Sequence, residues 1–235
     1  MPVAEERARK RGGALPNPGW PLRAHSAKRA PMKTWSCPKK QAARTATILA
    51  NGPVPNQYWS MAGLSTSPGC EVDQVLKAGF IRPDQFYGVE INRDIHDANV
   101  AAWPGLKWHY GDFFQVMHQY EGFNPSLVNA DLLQTVDTAA DYIARILHLL
   151  EPFNTVLIAN FIMEHRGYRT NPDYVLKRLA QCQQFRHAMN NGWSYQDRCY
   201  LYPGTGNRSR TIMGSFVFKR LALTQPLARL EEARR

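Results

Sequence analysis

Trp193 to Tyr202 (WSYQDRCYLY) and Thr211 to Lys219 (TIMGSFVFK) are two aromatic-rich runs of strand length joined only by Pro203-Gly204-Thr205-Gly206-Asn207-Arg208-Ser209-Arg210. A parallel pair needs a crossover of a dozen or more residues, so this link makes them an antiparallel hairpin. Upstream the rhythm differs. Thr155 to Met163 (TVLIANFIM) has almost no polar alternation, the mark of a strand covered on both faces. Before it come four shorter strand-like runs, Tyr58 to Gly63, Gln85 to Ile91, Leu106 to Tyr110 and Ser126 to Leu133. Helical periods separate them, over Glu71 to Ala78, Arg93 to Ala102, Phe113 to Tyr120 and Thr138 to Leu150, the last with Ile143, Ile146, Leu147 and Leu150 on one face. A single long helix is expected from Asp173 to Asn190. Five strands alternating with helices and closed by a hairpin predict an α/β fold with a mostly parallel sheet. No internal repeat is present.

The chain has 235 residues, 44% hydrophobic and 20% charged, enough for one sizeable domain. No uncharged run approaches the roughly 20 residues that span a bilayer, and the basic N-terminus has no apolar stretch behind it. A soluble, cytoplasmic protein is the expectation. Cys37, Cys70, Cys182 and Cys199 show no paired spacing and no neighbouring histidines, so neither metal nor disulfides are expected. Of the net charge of +10, residues 1–45 carry eleven Lys/Arg against Glu5 and Glu6. The reading is a basic, disordered arm (1–45), a body (46–220) and a polar tail (221–235). The arm reads as an electrostatic tether for DNA or RNA. It reads equally as a solubilising tail, or as an upstream extension with Met32 or Met61 as the start. An organelle presequence is a third reading, opposed by Glu5 and Glu6.

In an open parallel sheet, ligands bind beyond the carboxyl ends of the strands. The loop after the first strand runs from Ser60 through Ala62 and Gly63 to Gly69, with glycines that let backbone approach a ligand. Glu90, closing the second strand ahead of Ile91, is placed to accept hydrogen bonds from both hydroxyls of a ribose. Gly111-Asp112-Phe113 after the third strand offers a carboxylate for an exocyclic amine and an aromatic face for a purine. Each also has a plain reading, as a Ser/Pro/Gly turn, a solvated strand end and a Gly-Asp turn.

From Asn56 to Arg220 the body resembles the class I S-adenosylmethionine-dependent methyltransferases, on the Ala62-Gly63 loop, Glu90, Gly111-Asp112-Phe113 and the terminal hairpin. The resemblance implies a Rossmann-like three-layer sandwich and S-adenosylmethionine as cofactor. It puts Ser60, Ala62 and Gly63 under the methionine part, Glu90 at the ribose, Gly111, Asp112 and Phe113 at the adenine, and Ile91 among the cofactor-binding residues. The family's usual acidic residue followed by Gly-x-Gly is absent from the first loop, where Ser60-Met61-Ala62-Gly63 stands instead. The Pro-Pro-Tyr/Phe signature of base-amine methylation is absent too, so that chemistry is not implied. Asn129 and Asp131 on the fourth strand are the candidates for orienting the acceptor or removing its proton. His165, oriented by Glu164, is a further general-base candidate, and Arg208 and Arg210 would hold an anionic group. The leading function is methyl transfer to an unidentified acceptor, with nucleic acid favoured by the arm. The rival is a non-catalytic nucleic-acid-binding or assembly module on the same fold. A dinucleotide-dependent oxidoreductase is the third reading, which the hairpin opposes.

Overall fold

The described chain enters the fold through a helix, α1 (Pro38–Asn51), in the part of residues 38–45 expected to be disordered. Alanines at 42, 43, 46 and 50 favour the helix, and Pro38 suits its first turn. Its buried face is mostly polar: Lys40, Gln41, Arg44, Thr45, Thr47 and Asn51 are buried beside Ile48. A hydrophobic-period reading cannot see such a face. The computed structural model describes residues 38–61, 63, 65–165, 168–169, 172–203 and 212–220. The rest of the arm, the 221–235 tail and the hairpin loop lie outside them. No helix among the described residues is long and apolar enough to cross a membrane.

Five strands run parallel: β1 (Tyr58–Ser60), β2 (Phe86–Glu90), β3 (Lys107–Tyr110), β4 (Leu127–Thr135) and β5 (Val156–His165). The two-residue β6 (Tyr168–Arg169) folds back antiparallel on the end of β5. β7 (Trp193–Pro203) and β8 (Ile212–Arg220) form the expected hairpin, with β8 antiparallel to β5 and β7 at the sheet edge. The strand order is β3-β2-β1-β4-β5-β8-β7, so the order reverses between β1 and β4. This is the expected Rossmann-like arrangement, a mostly parallel sheet with a terminal antiparallel hairpin.

Alternation along each strand builds two cores. Trp59, Tyr87, Val128 and Leu157 face one side, where they pack with α4 (Phe113–Gln119), α5 (Val136–Leu149), α6 (Pro172–Gln181) and α7 (Gln183–Asn190). Their neighbours Tyr58, Phe86, Leu127 and Ile158 face the other, against Ile48 of α1 and Val72 and Val75 of α2 (Glu71–Lys77). Trp103, which follows α3 (Arg93–Ala102), packs on that second core. Gly88 sits directly opposite Trp108 in the β2–β3 register, and a Cβ there would lie 2.2 Å from the Trp108 ring. Only glycine lets that indole cross the strand.

Two expectations change. The single helix over 173–190 is two helices, because Cys182 takes extended backbone angles between α6 and α7. The break brings Phe185 onto Phe218 of β8. β5 extends as strand through Glu164 and His165, two residues beyond the expected Thr155 to Met163 run.

Candidate functional site

The outer part of the carboxyl edge is made by the ends of β2 and β3. The Gly111 amide donates to the Glu90 carbonyl at 3.0 Å, tying the two ends together. The Glu90 side chain turns back, its Oε1 accepting from the Asn92 amide at 2.7 Å, while Asn92 Oδ1 caps α3 by accepting from Ile95 N at 3.2 Å. Burial pushes the Glu90 carboxyl above its ordinary pKa, against the opposing pull of the Asn92 and Ile91 amides. Ile91 beside it is 51% exposed, an apolar side chain left in water next to a half-buried acid. Asp112 is the N-cap of α4, its Oδ1 accepting from Phe114 N at 3.0 Å and Gln115 N at 3.4 Å. That bond fixes the carboxylate at the edge. Phe113, expected to face a purine, is 2% exposed and belongs to the apolar core.

The loop after β1 is held from α3. Asn99, fully buried, donates from Nδ2 to the Gly63 carbonyl at 2.8 Å and accepts from the Ser65 amide at 2.8 Å. Trp103 Nε1 donates to the Ser65 carbonyl at 2.5 Å, and the Cys70 thiol approaches the same oxygen at 3.4 Å. Gly63 (φ +59) and Gly69 (φ +76) take left-handed backbone, and the space where a Cβ would stand is open at both. Asp73 Oδ2 accepts from the Gly69 amide at 2.7 Å and from Lys77 at 2.8 Å. The Lys77 hydrogen bond is the main reason its carboxyl sits below the ordinary value.

The inner part of the edge, over β1, β4, β5 and β8, is a sealed polar network. Glu71, the first residue of α2, accepts at Oε1 from the Tyr58 hydroxyl at 2.5 Å, the Ser60 hydroxyl at 2.9 Å and Asn129 Nδ2 at 2.8 Å. Arg44 of α1 pairs its Nη2 with Glu71 Oε2 and its Nη1 with Asp131 Oδ2, each at 2.7 Å. Lys40 Nζ stands 3.5 Å from Asp131 Oδ2, and Gln41 Oε1 accepts from the Glu71 amide at 3.1 Å. Asn160 Nδ2 donates to Asn129 Oδ1 at 2.7 Å, and the Ser215 hydroxyl donates to Asn160 Oδ1. Burial, then the neighbouring Glu71 charge, drive the Tyr58 phenol well above its ordinary pKa. Burial acts to raise Asp131 as well, but the Arg44 and Lys40 cations outweigh it and hold its carboxyl below the ordinary value.

Ser60 and Asn129 are therefore fully buried, with their polar atoms consumed by Glu71 and Asn160. The acceptor-orienting role expected of Asn129 has no exposed atom to act through. Asp131 keeps an 11% exposed side chain, and its Oδ1 has no hydrogen-bond partner among the described residues. A carboxylate held below its ordinary pKa is a poor proton acceptor, so Asp131 is fitted to act as a fixed anion. Ala62, Arg208 and Arg210 lie outside the described residues, as do the side chains of Glu164 and His165. Arg44 and Glu71, which organise the inner edge, were not singled out in the sequence: one lies in the arm, the other at a helix start.

No protein-family model and no curated protein matches the chain. Solved structures do. TrmN from Thermus thermophilus aligns at 8% identity and a TM-score of 0.47, over 77% of this chain and 48% of that one. The putative methyltransferase yhhF from Escherichia coli aligns at 13% identity and 0.48, over 83% and 93%. The Methanococcus jannaschii fibrillarin pre-rRNA processing protein aligns at 14% and 0.46, over 80% and 78%. The chain spans about half the length of the Thermus protein.

Proposed function

We propose that this chain binds S-adenosylmethionine at the carboxyl edge of β1, β2 and β3 and serves methyl transfer to a nucleic-acid acceptor. The observation that carries the reading is the outer edge itself: a half-buried Glu90 carboxylate, the exposed Ile91 and the capping Asp112 on two tied strand ends. That set of two acceptors and an apolar side chain suits an adenosine, with Glu90 on the ribose hydroxyls, Ile91 against the base and Asp112 near its exocyclic amine. The open left-handed Gly63 suits the methionine part. When bound, the cofactor supplies a methyl group activated on a sulfonium. The chain's own work is to hold the partners in line and exclude water. Asp131 contributes fixed negative charge, and proton removal, where the acceptor needs it, is assigned to His165.

Calorimetric titration of the full chain with S-adenosylmethionine and S-adenosylhomocysteine tests the reading. One equivalent bound by the parent and weakened in Glu90→Ala supports it; no binding, or equal binding by a folded Glu90→Ala, overturns it.

The acceptor class rests on charge. Residues 1–37 hold eight Lys/Arg against two Glu. Because Lys40 and Arg44 belong to the core, the arm must be cut after residue 37, not residue 45. Deleting 1–37 is expected to weaken DNA and RNA binding and flatten its salt dependence while cofactor affinity holds. Unchanged slopes would remove the support for nucleic acid.

A second reading, a non-catalytic module on this fold, is favoured by one observation: the inner edge is filled by Arg44, Glu71, Asn129 and Asn160. Cofactor binding without any methyl incorporation into RNA, DNA or protein would select it.

A further inference from the structure

We infer that His148, Glu151 and His187 form a binding site for a divalent transition metal of the zinc class, clamping α5 to α7. His148 stands in the last turn of α5 and Glu151 in the turn that follows it, its amide donating to the His148 carbonyl at 3.3 Å, while His187 comes from the last turn of α7. His148 Nδ1 is 3.4 Å and His187 Nε2 3.7 Å from the same Glu151 oxygen, and the three ligand atoms lie within 4.8 Å of one another. Zinc bonds of about 2.0–2.2 Å in tetrahedral geometry set neighbouring ligands about 3.3–3.6 Å apart, so small side-chain rotations complete the set. The fourth position would be left to solvent.

Two further observations favour a cation there. Glu151 Oε1 is buried and accepts no hydrogen bond among the described residues, although the two imidazoles that face it are exposed. A carboxylate oxygen buried without a donor is costly, and a dication between the three groups removes that cost. Both helices also end here, concentrating partial negative charge from their terminal carbonyls. One contact opposes it: Asn191 Nδ2 lies 2.8 Å from His187 Nε2 and must swing away when that nitrogen binds metal. Asn191 is the cap residue beyond α7, where its side chain can do so.

The site is independent of the proposed methyl transfer. α5 leads from the carboxyl edge at β4 to the start of β5, so its C-terminal end lies at the opposite edge of the sheet from Glu90 and Asp112. Its role is to join two helices that pack on the same core.

The test is calorimetric titration of the chelator-stripped full chain with Zn2+ alone, with Co2+ absorption as a reporter of geometry. Expected are one equivalent bound, a rise in Tm on metal addition and the intense visible bands of tetrahedral cobalt. His148→Ala and His187→Ala should each weaken binding at least tenfold, and the double variant should lose both the equivalent and the Tm rise. The histidines are exposed, so these variants are expected to fold, and metal-free circular dichroism checks that they do; Glu151→Gln is a further arm. Absence of binding, or binding unchanged in the double variant, would overturn the site and leave a histidine–glutamate cluster that serves packing only.

Discussion

Glu90 with Asp112, and Asp131 with Asn129, occupy the same edge of one sheet, yet they have opposite fates. At the ends of β2 and β3 the acids are oriented by backbone amides of their own turns, with Ile91 exposed beside them. On β1, β4 and β5 similar polar residues are tied to one another and to Arg44. The difference is made by α1, whose cations cover only the inner half. A polar strand end becomes a ligand site when its partners are amides of its own turn, and a structural knot when a distant helix supplies the counter-charge. Buried ion pairs add little net stability but are expensive to break from one side, so the two halves should answer mutation differently.

The sharpest break is Arg44→Ala, which strands Glu71 in the interior and leaves Asp131 with Lys40 alone. It should cost about 3–5 kcal/mol in denaturant unfolding, and a loss below about 1 kcal/mol would mean that the inner edge is not sealed as described. Next, Glu90→Ala should leave stability within about 0.5 kcal/mol while costing about 1.5–3 kcal/mol in S-adenosylmethionine binding by calorimetry. A large fall in its melting temperature would erase the contrast between the halves. Asn99→Ala removes the clamp on Gly63 and Ser65, and should cost about 1–3 kcal/mol of stability with a parallel loss of cofactor affinity. Hydrogen exchange at the Ser65 amide checks it directly.

Acid should separate the halves with the smallest effect. Glu90 has a raised pKa and protonates first, so cofactor affinity should begin to fall at a pH above the ordinary carboxylate value of about 4.3. Asp131 has a depressed pKa; its contribution is present above about 3.9 and is lost only as pH falls through the lower folded value. Binding should therefore fade before the inner network does. Paired titrations of affinity and of unfolding free energy across that window decide it, and coincident midpoints would count against the assignment.

Much of this was legible in the sequence. α3 occupies the expected span because Asn92 caps it locally, and Glu90 and Gly111-Asp112 stand at strand ends because short apolar runs and turn residues bracket them. What escaped depends on distant partners. α1 buries a polar face that only the carboxylates of Glu71 and Asp131 make tolerable. Ser60 and Asn129 read as edge residues until Glu71 takes their donors. The break at Cys182 goes with the meeting of Phe185 and Phe218, a contact no periodicity records. His187 likewise meets His148 and Glu151 only through helix packing.

The Arg44–Asp131 pair also sets an order of events during synthesis. Its partners are 87 residues apart. At translation rates of about 5–20 residues per second, Arg44 leaves the ribosome roughly 4–17 s before Asp131. In that interval a 14-residue helix without β4 to close over it is only marginally stable, so α1 stays loose and positively charged. Closure of the inner edge is then a late step that reports completion of β4, and a nascent chain halted before Asp131 would present Lys40 and Arg44 to any polyanion nearby.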